Sequence, residues 1–189
     1  PFNCSQANVI YPPFRDLPKL LKRPKVGSSI LCYITSDHYF KFGLLQNILA
    51  SDLLNRFSLE VYVDAEGMKF SHKFNKHNVT FRLLLDRKDF IRKLQETLIV
   101  LVISRSEGLP RTIVEAACCG CNLITPSFLE EFKHFADTSL YDDLSDLRQS
   151  LNTVDFQDNF NEDKIINLYD AFSIKNVSKK YQEIFECLN

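Results

Sequence analysis

The sequence has almost no net charge and no long apolar run. Its 23 basic and 24 acidic side chains give a formal net charge of −1 over 189 residues, so bulk charge does not argue for nucleic acid binding. No stretch approaches the ~20 apolar residues of a transmembrane helix. The chain begins without Met and shows no signal peptide, so we expect a fragment or a processed form.

The six cysteines also lack the regular spacing of a disulfide framework. A zinc site made of Cys118, Cys119, Cys121 and His134 is an alternative, but adjacent cysteines aim poorly at one metal and no second C-x-x-C completes the set. We therefore interpret the cysteines as buried thiols in a reducing compartment. This favours the cytoplasm, or the cytosolic face of a membrane, as the location.

The most informative stretch is 98–126, which predicts a strand, a polar loop, a helix and a second strand. Leu98 to Ile103 is unbroken, apolar and rich in β-branched residues, as in a strand buried on both faces of a parallel sheet. Pro110 suits the first turn of a helix, and Gly120 suits its end. The short apolar run Cys121 to Thr125 completes a βαβ unit.

The loop of this unit has a chemical use. Unpaired amides near Gly108 to Arg111 at a helix N-terminus stabilise an anion such as a diphosphate. Glu107 and Glu115, with seven residues between them, offer carboxylates that accept hydrogen bonds from hydroxyl groups. A site with an anion-binding end and a hydroxyl-binding end suits a sugar nucleotide.

These residues resemble the signature of the retaining GT-B glycosyltransferases of family 4. The family pattern is S-x-x-E-G, a seven-residue gap to E-A, then a small residue, C-G and an apolar strand. Here it corresponds to Ser104–Pro110, Val114–Ala117 and Cys119–Ile124, and the spacing matches throughout.

The resemblance implies the C-terminal half of such an enzyme. We expect an α/β, Rossmann-like, doubly wound and mostly parallel sheet with helices on both faces and a closing C-terminal helix. Residues 1–25 would be an N-terminal segment or linker, and residues 26–189 the nucleotide-sugar-binding domain. The acceptor would lie on a separate N-terminal domain or subunit, and membrane association would come only through that missing half.

The resemblance also assigns roles to residues. Glu107 and Lys41 would be catalytic, with Glu107 beside the donor sugar and Lys41 at the diphosphate. Glu115 would hold the ribose hydroxyls. Family members usually carry an Arg at the position of Ser36, and Arg105 or His38 are candidate substitutes for it. The implied donor-binding residues are Gly108, Leu109, Pro110, Arg111, Glu115 and Ser36.

The implied reaction is transfer of a sugar, of the hexosyltransferase type, from a UDP- or GDP-sugar with retention of configuration. It needs no metal and no cofactor other than the nucleotide-sugar substrate, and the isolated chain would be inactive. Two alternatives remain: a degenerate, non-catalytic relative that acts as a scaffold or partner subunit, favoured by Ser36, and an unrelated doubly wound ligand-binding module.

Hydropathy patterns predict the remaining elements. We expect strands at 29–34, 59–63 and 79–85, with a short edge strand at 140–141. We expect helices at 42–54, 87–96 (capped by Asp86), 128–135, 144–151, 162–172 and 174–188. Residues 64–67 are predicted as a turn and 69–77 as a basic loop that contains aromatic residues.

Overall fold

A computed structural model of the protein shows six strands in one sheet with helices on both faces. It describes residues 29–35, 37–74, 76, 78–84, 86–105, 111–134, 136–153 and 162–187. The strands are β1 (Ser29–Ile34), β2 (Ser58–Val63), β3 (Val79–Leu83), β4 (Ile99–Leu101), β5 (Asn122–Pro126) and β6 (Thr138–Tyr141). The α-helices are α1 (His38–Ala50), α2 (Ala65–Ser71), α3 (Arg87–Glu96), α4 (Arg111–Cys118), α5 (Leu144–Thr153), α6 (Glu162–Phe172) and α7 (Ile174–Cys187), and a 3₁₀ helix spans Ser127–His134.

The strands lie in the order β3-β2-β1-β4-β5-β6, and each neighbouring pair is parallel. Cys32 in the middle of β1 aligns with Val61 of β2 on one side and with Leu101 of β4 on the other. This arrangement confirms the predicted α/β, Rossmann-like, doubly wound sheet.

The two faces of the sheet bury separate apolar clusters because successive strand residues point to opposite sides. In β1, Ile30, Cys32 and Ile34 pack with α1 and α5 on one face. Leu31 packs with α3, α4 and α6 on the other face. The helices therefore cover both faces, as a fully buried parallel sheet requires.

Short polar side chains begin two of the helices. The Asp64 carboxylate accepts a hydrogen bond from the Gly67 amide (2.7 Å) at the start of α2. The Asp86 carboxylate accepts one from the Lys88 amide (2.8 Å), which confirms Asp86 as the cap of α3. Gly120 follows α4 with a φ of 69°, a left-handed conformation that suits its predicted role at the helix end.

Three predicted elements differ in the structure. Helix α1 begins at His38 and ends at Ala50, earlier at both ends than predicted. His38 at its start is hydrogen-bonded to Asp64 and stacks on Phe42, and Asp52 just beyond its end has a φ of 59°. Residues 65–71 form α2 instead of a turn and loop. The short helix predicted at 128–135 is a 3₁₀ helix at Ser127–His134, with a kink at Leu129.

Several sequence predictions fall outside the described residues. They are the segment 1–25, Ser36, and the loop 106–110 that contains Glu107, Gly108, Leu109 and Pro110. The boundary at residues 25 and 26 therefore stays a prediction. In the part of the chain that is described, no helix combines the length and the apolar character needed to cross a membrane.

Candidate functional site

The sheet reverses its direction of winding between β1 and β4. The chain leaves β1 for α1 on one face, whereas the helix that follows β4, α4, lies on the other face. In open parallel sheets, ligands bind in the crevice at the carboxyl ends of such a pair of strands. The structure has a cavity of about 250 Å³ at this point, which we call the switch cleft.

Both helices contribute a cation to the switch cleft. Its floor is formed by the carboxyl ends of β1 and β4, including Tyr33 and Thr35. Lys41 of α1 lines it from one side, and Arg111 and Thr112 of α4 line it from the other. Two of the residues that the sequence predicts for the site, Lys41 and Arg111, are thus brought to one cavity from opposite faces of the sheet.

Lys41 is largely buried in this position. It is 6% exposed, and its backbone amide donates to the Asp37 carbonyl (3.0 Å) at the start of α1. Its ammonium acts on the thiol of Cys32 on β1: burial raises the pKa of that thiol to about 12, and the charge of Lys41 opposes the rise. The Lys41 side chain therefore lies in a largely buried part of the cleft, beside β1.

Glu115 lies one helical turn after Arg111 and is 3% exposed. Its Oε1 accepts hydrogen bonds from Arg111 Nε (2.8 Å), Arg87 Nε (3.0 Å) and Arg87 Nη2 (2.6 Å). Glu115 is thus a buried carboxylate compensated by two guanidinium groups through one oxygen, and its predicted role toward ribose stays a prediction.

The two candidate substitutes for the missing Arg are engaged elsewhere. Arg105 Nε lies 3.2 Å from Asp37 Oδ2, and its guanidinium lies 4.8 Å from the centre of the Phe40 ring. His38 Nε2 is 2.9 Å from Asp64 Oδ1. Neither lines the switch cleft among the residues described there.

A second concave surface lies along the same edge of the sheet, and we call it the acidic groove. It has a volume of about 400 Å³ and lies between α1, the ends of β5 and β6, and the start of α5. Phe128 and Tyr141 supply apolar surface. Asp142 and Asp143 add two carboxylates, and Arg105 adds one cation that is paired with Asp37.

Arg87 is the functional candidate that the sequence analysis missed. The hydropathy pattern predicts it only as the first residue of a helix, yet it donates twice to Glu115. A signal existed: Arg87 follows β3 and the cap Asp86, so it lies at the carboxyl edge of a parallel sheet, where the other site residues also lie. Sequence alone did not show that it would reach α4.

The cysteine cluster is a feature of the core. Cys118, Cys119 and Cys121 are buried thiols, as predicted, and the Cys121 thiol donates to the carbonyls of Leu94 and Thr97 (3.2 and 3.4 Å). Across the described ranges, no group of three or more His, Cys, Asp or Glu side chains is arranged to hold a metal ion.

Comparison of sequences finds no relative. No family model matches the chain, and no curated protein matches it significantly.

Comparison of structures finds several proteins with the same fold. The chain is similar to a mutant of TarM from S. aureus in a complex that contains UDP (TM-score 0.69, 14% identity, covering 91% of this chain and 38% of TarM). It is also similar to sucrose-phosphate synthase from Thermosynechococcus elongatus (0.63, 13%, 85% and 45%). A third is the catalytic domain of starch synthase IV from Arabidopsis thaliana, bound to ADP and acarbose (0.59, 14%, 88% and 39%).

These neighbours are GT-B glycosyltransferases. At this level of identity the likeness shows the fold alone, and it weakens the alternative of an unrelated doubly wound module. The chain spans less than half the length of each of these neighbours.

Proposed function

We propose that the chain is the donor-binding half of a glycosyltransferase. It would bind a nucleotide sugar, with UDP or GDP as the nucleotide, and the sugar would pass to an acceptor held by a separate N-terminal domain or subunit. One observation carries the proposal: in a fold shared with GT-B glycosyltransferases, Lys41 and Arg111 line one cavity at the point where the winding of the sheet reverses. A separate partner half is supported by the comparison, since the chain covers only 38% of TarM and 45% of sucrose-phosphate synthase.

The proposed chemistry is electrostatic. When a sugar leaves a nucleotide sugar, negative charge builds up on the diphosphate, and preorganised cations stabilise that charge most strongly where water is excluded. Lys41 and Arg111 would supply the cations, and no metal ion is needed for this. Glu107 would lie beside the sugar and Glu115 would accept ribose hydroxyls, in a reaction that retains the anomeric configuration.

A second candidate function is a non-catalytic partner subunit. It is favoured by Ser36, where the resembling family carries Arg, together with the engagement of both candidate substitutes. Arg105 is paired with Asp37, and His38 with Asp64. A diphosphate leaving group with fewer cations would be stabilised less, so a chain of this kind would bind nucleotides weakly or not at all.

Calorimetric titration separates the two functions. We expect heat when UDP or GDP is added to the wild-type chain, and binding about tenfold weaker in Glu115→Ala. No heat from either nucleotide with the wild-type chain would contradict donor binding and favour the partner subunit. Because the acceptor site would lie on the other half, we expect the pure chain to transfer no sugar from UDP-glucose or GDP-mannose, and turnover by the pure chain would contradict the proposed division into halves.

The proposed location is the cytoplasm or the cytosolic face of a membrane, where the buried thiols would stay reduced. Fractionation of cells that express the tagged full-length protein tests this location.

A further inference from the structure

We propose that Arg87 is a positioning residue for the nucleotide site: it holds Glu115 so that Arg111 can turn from Glu115 to the diphosphate. This inference rests on the proposed donor binding, but it concerns a residue outside the signature that suggested that function.

The first step is the sharing of one carboxylate oxygen. Glu115 is almost fully buried, and its Oε1 accepts from Arg111 on its own helix and from Arg87 on α3. Two guanidinium groups thus hydrogen-bond to one carboxylate. One of the two arginines can therefore leave without removing the compensation of Glu115.

The second step is which arginine can leave. Arg111 lines the switch cleft, and its side chain is 53% exposed. Its guanidinium can reorient toward an anion in the cleft while its backbone stays in the first turn of α4. Arg87 approaches Glu115 from α3 and makes two of the three hydrogen bonds, so it is the partner that remains.

The third step is the consequence of losing Arg87. Glu115 would then depend on Arg111 alone, and turning Arg111 toward a ligand would leave a buried carboxylate without a partner, which is strongly unfavourable. Arg111 would stay on Glu115, and the cleft would present one cation, Lys41, instead of two. Arg87 would thus control the affinity for a diphosphate without contacting it.

The test is a double-mutant cycle measured by calorimetry with UDP, GDP and ADP, continuing with whichever nucleotide the wild-type chain binds. We expect Arg87→Gln to weaken binding about tenfold, the effect of one charge-assisted hydrogen bond. In a Glu115→Gln background there is no buried carboxylate that could lose its partner, so we expect Arg87→Gln to change the affinity by less than about twofold. Lys88→Gln is the matched control, since it removes the same charge from the neighbouring exposed position and should leave binding unchanged.

Inorganic pyrophosphate and a conservative variant separate positioning from a structural role. Because pyrophosphate has no ribose, we expect Glu115→Gln to bind it at least as tightly as the wild-type chain does. Arg87→Lys keeps the charge, and we expect it to restore the affinity to within about threefold of the wild type even if Arg87→Gln unfolds.

The outcomes are distinct. A wild-type chain that binds none of the three nucleotides overturns the proposed function, and this inference with it. If the wild-type chain binds a nucleotide, two results would overturn the inference alone. In one, Arg87→Gln binds that nucleotide as tightly as the wild type. In the other, Arg87→Gln lowers the affinity as much in the Glu115→Gln background as in the wild-type background.

Discussion

The switch cleft and the acidic groove lie along the same edge of one sheet, yet they present opposite charge. The cleft contains Lys41 and Arg111, whereas the groove contains Asp142 and Asp143 and one arginine already paired with Asp37. The edge of a parallel sheet therefore does not by itself make an anion site. The cleft acquires its character because α1 and α4 approach it from opposite faces, each with a cation near its start.

The largest expected effect tests this difference in charge directly. Lys41→Met keeps most of the buried stem and removes the ammonium, so we expect UDP or GDP affinity to fall roughly ten- to hundredfold, the effect of one hydrogen bond to a charged group. Calorimetry measures it. Asp143→Asn in the acidic groove is the control and should leave the affinity within twofold of the wild type. Equal losses of affinity in both variants would contradict the claim that only the switch cleft is an anion site.

The parts of the cleft were predictable from sequence to different degrees. The βαβ unit at 98–126 carries unambiguous signals: an apolar run, a proline at the helix start and a glycine with positive φ at its end. The resemblance assigns Lys41 and Arg111 to the donor site one at a time, and it assigns Arg111 through its backbone amide and not through its guanidinium. The convergence of Arg87 on Glu115 was not predictable, because the two residues are 28 positions apart and meet only through the packing of α3 on α4.

Helix α2 is an element that the sequence analysis predicts wrongly, as a turn followed by a loop. The basic residues between 69 and 77 predict a solvated loop, but the phenylalanines among them are partly buried and pack against the core. Phe70 and Phe74 pack on Phe42 with ring centres 4.9 and 5.7 Å apart. A short segment that mixes lysines and phenylalanines has no clear period, so tertiary contacts decide its structure.

Two glycines contrast a packed position, Gly67 on α2, with an open position, Gly43 on α1. A Cβ on Gly67 would lie 2.9 Å from the Cβ of Val63 and 3.3 Å from the His38 ring, whereas a Cβ on Gly43 would meet nothing within 4 Å. We expect Gly67→Ala to lower the free energy of unfolding by about 1–3 kcal/mol through overpacking. Gly43→Ala should raise it by about 0.5–1 kcal/mol, since alanine favours a helix interior.

Urea unfolding of both glycine variants measures these changes. A Gly67→Ala variant as stable as the wild type would show that α2 can move away from β2 and His38 at little cost. The packing of α2 against β2 and the start of α1 would then be less rigid than these contacts imply.

The next effect separates the hydroxyl-binding end of the cleft from its anion-binding end. Glu115→Ala should weaken UDP or GDP binding about tenfold, because the carboxylate that would accept ribose hydroxyls is gone. It should not weaken the binding of inorganic pyrophosphate, since Arg111 is released. Competition calorimetry measures both, with the exposed Glu130→Ala as control. Parallel losses for nucleotide and pyrophosphate would place Glu115 in the anion-binding part.

The smallest effect asks whether the cleft and the groove are independent. Tyr141 lies in the acidic groove, and its hydroxyl donates to the carbonyl of Val102, which lines the switch cleft (2.6 Å). Tyr141→Phe removes this bond, so we expect a loss of about 1 kcal/mol in the free energy of unfolding at neutral pH. Nucleotide affinity should stay the same, and a parallel loss of affinity would show that the two surfaces act as one site.

The pH dependence of the same variant identifies the cause of that loss. Burial raises the pKa of the Tyr141 hydroxyl above its ordinary value of about 10, and the nearby Cys32 adds to the rise. Above pH ~10 the unfolded chain loses this proton before the folded chain does, so the contribution of Tyr141 to stability is complete below that pH and declines above it. In urea unfolding, the difference between wild type and Tyr141→Phe should therefore shrink from pH 8 to pH 10.5. Other titrating groups are common to both proteins and cancel, so a constant difference would mean that the hydroxyl is not buried as the structure shows.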